Sequence, residues 1–245
     1  LTFKSVRRSE DLPPILSKLS RSWVDVLMPT DDAFATPLGT VPIDRAALDA
    51  VRALATQAYL GRRKEQFREE FLLALKMFEE RHVTLAAMRS SWAGAMGQPQ
   101  FMPSSYRNWA RDGDGDGHRD LIHNTADVFA SIANYFVVHG WQRGGPVAAR
   151  ATRDAAAADF IPASLDPVYP LAALAQRGYR PQPGQPRPEH ARAEGATLIT
   201  FDGDAGKEYW LGYRNFYVIT RYNHSPMYAM AVHQLAQAIR GNAPR

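Results

Sequence analysis

The chain of 245 residues contains no cysteine, which removes thiol nucleophiles, zinc–thiolate centres and disulfides from consideration. A sequence without disulfides suits any redox compartment, so this absence does not place the protein. Long apolar runs are also missing: no stretch reaches the roughly 20 residues that a bilayer-crossing helix needs. Nor is there a basic run. Lysine and arginine exceed aspartate and glutamate by 29 to 25, a net charge of +4, but the cations are scattered where a nucleic-acid arm would cluster them. At most the charge supports weak attraction to an acidic polymer. The start, Leu1-Thr2-Phe3-Lys4, has no signal-peptide pattern, and a mature exported protein would have none either. What remains is a globular composition, 45% hydrophobic and 22% charged, in a chain long enough for one large or two to three small domains.

Helical periodicity dominates the first half. Leu12, Ile15, Leu16, Leu19, Trp23 and Leu27 share one helical face before Pro29. Further helices are expected over 46–59, over 64–80 with Phe67, Phe71, Leu75 and Phe78 inward, and over 126–139, stopped by Gly140. The acidic residues of the second of these, Glu65, Glu69, Glu70, Glu79 and Glu80, read mostly as a solvated face. Residues 144–195, rich in Ala, Pro, Arg and Gln, end in a polar, linker-like stretch over 181–190. Three short strands are expected over 197–201, 209–213 and 216–222. A last helix starts with Ser225 as N-cap and Pro226 at its first position, with Tyr228, Ala231, Val232, Leu235 and Ile239 inward. The fold class is mainly α with a small antiparallel β part.

The most legible chemistry lies in Asp112-Gly113-Asp114-Gly115-Asp116-Gly117-His118. Carboxylates at positions one, three and five, a glycine at six and a backbone carbonyl at seven form the hard-oxygen array of a calcium loop. Position twelve is His123 where a glutamate usually closes the site, and Asp127 is the replacement carboxylate, with Asp120 bound directly or through water. The metal set is therefore Asp112, Asp114, Asp116, His118 and Asp127, and Ca2+ is the expected structural ion. The plain alternative is a solvated acidic turn. Clustered carboxylates repel one another without a cation, which favours the metal.

Ser91-Trp92-Ala93-Gly94-Ala95-Met96-Gly97-Gln98-Pro99-Gln100-Phe101-Met102-Pro103-Ser104-Ser105-Tyr106 closely resembles the signature loop of the lytic murein transglycosylase B family. The match continues through Ala133-Asn134-Tyr135-Phe136, Gly140-Trp141 and Asn215-Phe216-Tyr217-Val218-Ile219-Thr220-Arg221-Tyr222-Asn223, with Arg62-Arg63 upstream. It covers roughly residues 50–245. The resemblance implies a lysozyme-like helical core with an additional helical part and a small β part. The divisions expected are 1–90 leading into the core, 91–145 as the core with its calcium loop, 146–222 as linker and sheet, and 223–245 as a returning helix.

The resemblance further implies cleavage, without water, of the bond between N-acetylmuramic acid and N-acetylglucosamine in peptidoglycan strands. One carboxylic acid protonates the glycosidic oxygen, then takes the proton of the muramic acid primary hydroxyl as an anhydro ring closes. Ser91, Gln100, Phe101, Met102, Tyr135, Tyr222, Asn223 and Tyr228 match positions lining the glycan cleft, and Arg62 and Arg63 match a pair near it. Each has a plain reading too: buried tyrosines are often core, and surface arginines are usually solvated. A periplasmic monomer is implied, with anchoring through a removed lipidated segment and contacts to cell-wall synthesis proteins left open. No nucleic acid and no organic cofactor are expected.

One departure stands out. The family carries Glu-Ser-x-Phe/Tyr-Gly before its Ala-Leu-Ala-Thr segment, and the corresponding stretch here is Asp31-Asp32-Ala33-Phe34-Ala35. Aligning Phe34 with the family aromatic puts Asp31 at the acid's position. Three accounts stay open: the family acid lies outside this sequence, Asp31 has taken over, or the protein binds glycan without cleaving it.

Overall fold

The computed structural model describes residues 35–36, 39–40, 49–79, 90–91, 93–188, 195–204 and 206–242. The helix expected over 12–28, and Asp31 itself, lie outside these residues. The chain divides into two compact units, Leu1–Asn134 and Tyr135–Arg245.

In the first unit, β1 (Ala35–Thr36) pairs antiparallel with β2 (Gly39–Thr40). Helix α1 (Asp49–Leu60) buries Ala50, Val51 and Leu54, and α2 (Lys64–Glu79) buries Phe67, Phe71, Ala74 and Leu75. These positions recur every three or four residues, so each helix presents one apolar stripe, and the two stripes can be buried only against other apolar surface. Glu70 is the exception to the solvated face expected for the acidic residues of α2: it is 7% exposed, on the same side as Phe67 and Phe71. A short helix, α3 (Pro103–Trp109), begins with proline at its first position, where the missing N–H costs nothing. Helix α4 (Thr125–Val138) is opened by Asn124, whose Oδ1 accepts the Ala126 N–H at 3.0 Å. It closes at Gly140, φ +91°, where the Gly140 N–H donates to Val137 and the Trp141 N–H to Phe136. That pairing is a left-handed C-terminal cap, which favours glycine for want of a Cβ.

The second unit is built on a five-stranded antiparallel sheet of order β4-β6-β7-β3-β5. Its strands are β3 (Ala148–Arg153), β4 (Tyr169–Pro170), β5 (Tyr179–Pro181), β6 (Gly195–Gly203) and β7 (Gly206–Gly212). Side chains alternate across it. One face carries Ala149, Ala151, Leu198 and Leu211 against Leu174 of α5 (Leu171–Gln176). The other carries Ala148 and Ile199 against α6 (Arg214–Tyr222) and α7 (Pro226–Asn242).

Two expectations are corrected here. Residues 216–222 form a helix, not a third strand: their β-branched and aromatic content favours strand locally, but Asn215, Phe216, Val218, Ile219 and Thr220 are buried at helical spacing, and tertiary burial overrides propensity. The last helix packs through Ala229, Met230 and His233, with Val232 half-buried, while Leu235 and Ile239 are more than 60% exposed. Its apolar face is thus used only in the first turns. Strand β3 was missed, since alanine and arginine carry little strand signal. Ala149 and Ala151 lie opposite Leu211 and Tyr209 of β7, and Ala148 lies opposite Gly212.

Asn215 joins α6 to the segment before β3. It is fully buried; its Oδ1 accepts the Gln142 N–H at 2.7 Å and its Nδ2 donates to the Gln142 and Gly145 carbonyls at 2.8 Å each. Asn215→Ala removes all three hydrogen bonds that this buried amide makes to the Gln142 and Gly145 backbone. It is expected to lower the unfolding free energy by about 2–3 kcal/mol, measured by urea denaturation; a loss under about 0.5 kcal/mol would mean that water replaces the amide.

Candidate functional site

The signature loop folds as a tight turn on a pair of backbone bonds. Met96 N–H donates to the Phe101 carbonyl at 2.8 Å and Phe101 N–H to the Met96 carbonyl at 3.0 Å. Ser91, expected in the cleft, has its Oγ accepting the Ala93 and Ala95 N–H groups at 3.3 and 3.2 Å, so it shapes the loop's entry. Gln98 ties the turn down: its N–H donates to the Leu121 carbonyl at 2.9 Å and its Nε2 to the Ile122 carbonyl at 2.8 Å. Gly97 beside it has φ +66° and leaves no space, since a Cβ there would lie 2.6 Å from the Leu121 carbonyl oxygen.

Gln100 sits at the tip, exposed, with φ +51°, the left-handed region that residues bearing a Cβ rarely adopt. Its N–H and Nε2 both donate to the Gly97 carbonyl, at 3.1 and 2.9 Å. Backbone strain at an exposed amide is a feature of recognition sites more than of packing. Phe101, expected as apolar wall, is 2% exposed and fills the core of this unit instead; Met102 is half-buried. Downstream, the Glu70 carboxylate of α2 accepts the Ser104 N–H at 2.9 Å and the Ser104 hydroxyl at 2.6 Å. Neither Glu70 nor Gln98 was singled out in the sequence; a glutamate one turn after Phe67 and next to Phe71 was the available signal. Arg62 and Arg63 are exposed, Arg63 lying over the Phe67 ring at 5.6 Å.

The acidic loop closes on itself through its carboxylates. Asp112 accepts the Gly115 N–H at 2.6 Å and the Gly117 N–H at 2.8 Å, and these bonds hold its carboxyl below the ordinary range. Asp116 accepts the N–H of His118 at 2.7 Å, and both are exposed. Asp114 receives the Asn124 amide at 2.7 Å. Asp127, fully buried, accepts the Gly113 N–H at 2.7 Å and the Asp120 N–H at 2.6 Å. Asp112, Asp114 and Asp127 each bring an oxygen within 4.8 Å of the others. Oxygens on opposite sides of a calcium ion are separated by at most about 5 Å, so this trio fits around one ion. Asp116 is not in the trio. Asp120 is occupied otherwise, accepting the Ile122 and His123 N–H groups and facing the His123 ring at 3.2 Å. Burial opposes ionisation of Asp120, but the bonds from His123 and Ile122 outweigh it and its carboxyl is held low.

In the second unit, Tyr135, Phe136, Trp141 and Tyr222 form an aromatic cluster, with Tyr135 and Tyr222 edge to face at 5.1 Å. The Tyr135 hydroxyl donates to the Arg221 carbonyl at 2.7 Å. Burial, with Tyr228 and Tyr135 nearby, pushes the Tyr222 hydroxyl well above its usual range, and burial likewise raises Tyr135 against the opposing Arg221 charge. Both phenols therefore stay protonated near neutral pH: they are donors or stacking surfaces, not bases. Asn223 is exposed with its Oδ1 accepting the Ser225 N–H at 3.0 Å, and Tyr228 is 38% exposed.

Comparison with known proteins agrees with this picture. The family model described as "Transglycosylase SLT domain" matches residues 38–237. Membrane-bound lytic murein transglycosylase B of Escherichia coli (strain K12) is 43% identical over 188 residues, 76% of this chain; the chain spans 50% of that protein's length. The Escherichia coli lytic transglycosylase Slt35 in complex with calcium superposes with a TM-score of 0.68 at 41% identity, covering 78% of this chain and 59% of its own. SltB3 from Pseudomonas aeruginosa, in complex with NAG-anhNAM-pentapeptide, gives 0.69 at 38% identity, covering 79% and 51%. With a match over residues 38–237, most of its length, the chain belongs to the transglycosylase SLT domain family.

Proposed function

We propose that this protein is a peptidoglycan lytic transglycosylase, cleaving the MurNAc–GlcNAc β-1,4 bond without water and leaving 1,6-anhydro-MurNAc ends. The observation that carries the reading is the exposed Gln100 amide held at positive φ within a turn pinned at both flanks. A planar amide can donate to and accept from the N-acetyl and hydroxyl groups of a sugar. Tyr222 and Tyr228 supply stacking surface and phenolic donors, Tyr135 supports Tyr222, and Asn223 offers an amide beside them. Met102 adds apolar contact, Ser91 sets the loop's entry, and Arg62 and Arg63 face the acidic groups of the strand. Relatives solved with murein fragments support the substrate class.

Asp112, Asp114 and Asp127 would hold Ca2+, with the His118 carbonyl and Asp116 completing the shell of an EF-hand-like loop. The ion would neutralise a crowded set of carboxylates and take no part in the reaction. Asp31 is the candidate acid, giving its proton to the leaving oxygen and recovering one from the muramic acid hydroxyl. A periplasmic location follows from this substrate. Among the described residues no helix is long and apolar enough to cross a membrane.

The test is digestion of purified sacculi with mass analysis of the products. Anhydromuropeptides are expected. Sacculi that retain the protein but release none would make it a glycan-binding protein without the lyase step.

A further inference from the structure

We propose that Glu70 is a positioning residue for glycan binding, holding the turn over 97–102 in the shape that presents Gln100; the inference rests on the glycan reading above. Glu70 is a buried carboxylate that, among the described residues, bonds Ser104, 34 positions away, through both its N–H and its hydroxyl. A buried carboxylate is costly to desolvate and is retained only where its bonds are good.

Those bonds lie at one end of the turn. Ser104 is the second residue of α3, whose N-cap, Met102, makes no side-chain cap. A serine or aspartate at 102 would cap the helix locally. Capping from α2 instead leaves position 102 free for an apolar side chain on the loop, and fixes the loop's exit to a different helix. The Met96–Phe101 pair closes the turn from both sides, and Gln98 ties its entry to Leu121 and Ile122. Between these anchors lies Gln100 at φ +51°. A strained residue keeps its conformation only when its surroundings over-determine it, and Glu70 adds the anchor beyond Phe101, at Ser104.

A glutamine at 70 is nearly isosteric, yet it offers one acceptor oxygen and turns its NH2 toward a donor. The turn would then relax toward ordinary backbone and withdraw the Gln100 amide. Glu70→Gln is expected to raise KM and Kd for a soluble, uncrosslinked GlcNAc–MurNAc-peptide oligomer about tenfold, with kcat changed less than about twofold. A purely structural defect reads differently, because it lowers the amount of folded protein and hence the maximal rate, while KM stays put. Ser104→Ala, which keeps the Ser104 N–H bond, should give a smaller rise, and the double variant should match Glu70→Gln because the pair acts as one unit.

Unchanged KM and Kd in Glu70→Gln, or additive effects in the double variant, would overturn the proposal. Should Glu70→Gln fail to fold, Ser104→Ala carries the same comparison, and an unchanged KM and Kd there would overturn it equally. Wild-type chain that binds without turnover leaves Kd as the deciding readout. Wild-type chain that neither binds nor turns over the oligomer defeats the glycan reading itself, and this inference with it.

Discussion

Asp127→Ala is expected to lower the unfolding free energy by roughly 3–5 kcal/mol and to erase any rise in melting temperature on adding calcium. The carboxylate is fully buried and receives two N–H groups, from Gly113 at one end of the acidic loop and Asp120 at the other. Alanine takes the acceptor away from both N–H groups, and hydrogen bonds to a charged acceptor contribute more than neutral ones. It also removes one member of the oxygen trio. Asp127→Asn keeps one acceptor but sets its NH2 against the second N–H, so a smaller stability loss is expected with the same loss of calcium response. Calcium at a hundredfold excess over its dissociation constant should stabilise the wild type by about 2.7 kcal/mol. Urea denaturation with and without millimolar calcium measures all three. A wild type indifferent to calcium would remove the metal, and an Asp127→Ala chain still stabilised by it would move the site elsewhere.

Asp31→Asn is expected to reduce release of anhydro ends by about 10²–10⁴-fold while sacculi still retain the protein. An amide has no proton to give at neutral pH, so both halves of the acid–base cycle fail together. Asp31→Glu is the companion: an aspartate in place of a glutamate reaches one methylene less far, and misplacement of about 1 Å can cost roughly a hundredfold. Restoring the methylene should therefore raise the rate. Release unaffected by Asp31→Asn would assign the acid to another residue, and this measurement alone decides it, because Asp31 lies outside the described residues.

Much of the helical architecture was legible because burial writes itself into spacing. The helical character of α1, the stripe of α2, the glycine closing α4 and the Ser225–Pro226 opening of α7 were all readable from local rules. The misreadings occurred where the deciding partner is distant in sequence. Residues 216–222 have strand chemistry and helical burial, and only the sheet they pack against reveals which prevails. Leu235 and Ile239 continue an apolar pattern past the point where α7 has anything buried to meet. Of the candidate site, the acidic loop was the clearest part, since Asp127 was expected as its closing carboxylate and brings an oxygen to Asp112 and Asp114. Glu70 and Asn215 were opaque. One is an acid among four on its helix and the other an asparagine in an aromatic string, and each acquires meaning only from donors or acceptors about 34 and 73 residues away.

The alanines of β3 make that strand a one-way gauge of volume. Ala149 and Ala151 are buried in a packed cluster, across the ladder from Leu211 and Tyr209, so glycine at either removes one methyl group at a modest backbone cost, whereas any gain in bulk must displace a packed neighbour. Natural variation at these two positions should accordingly stay within alanine and glycine.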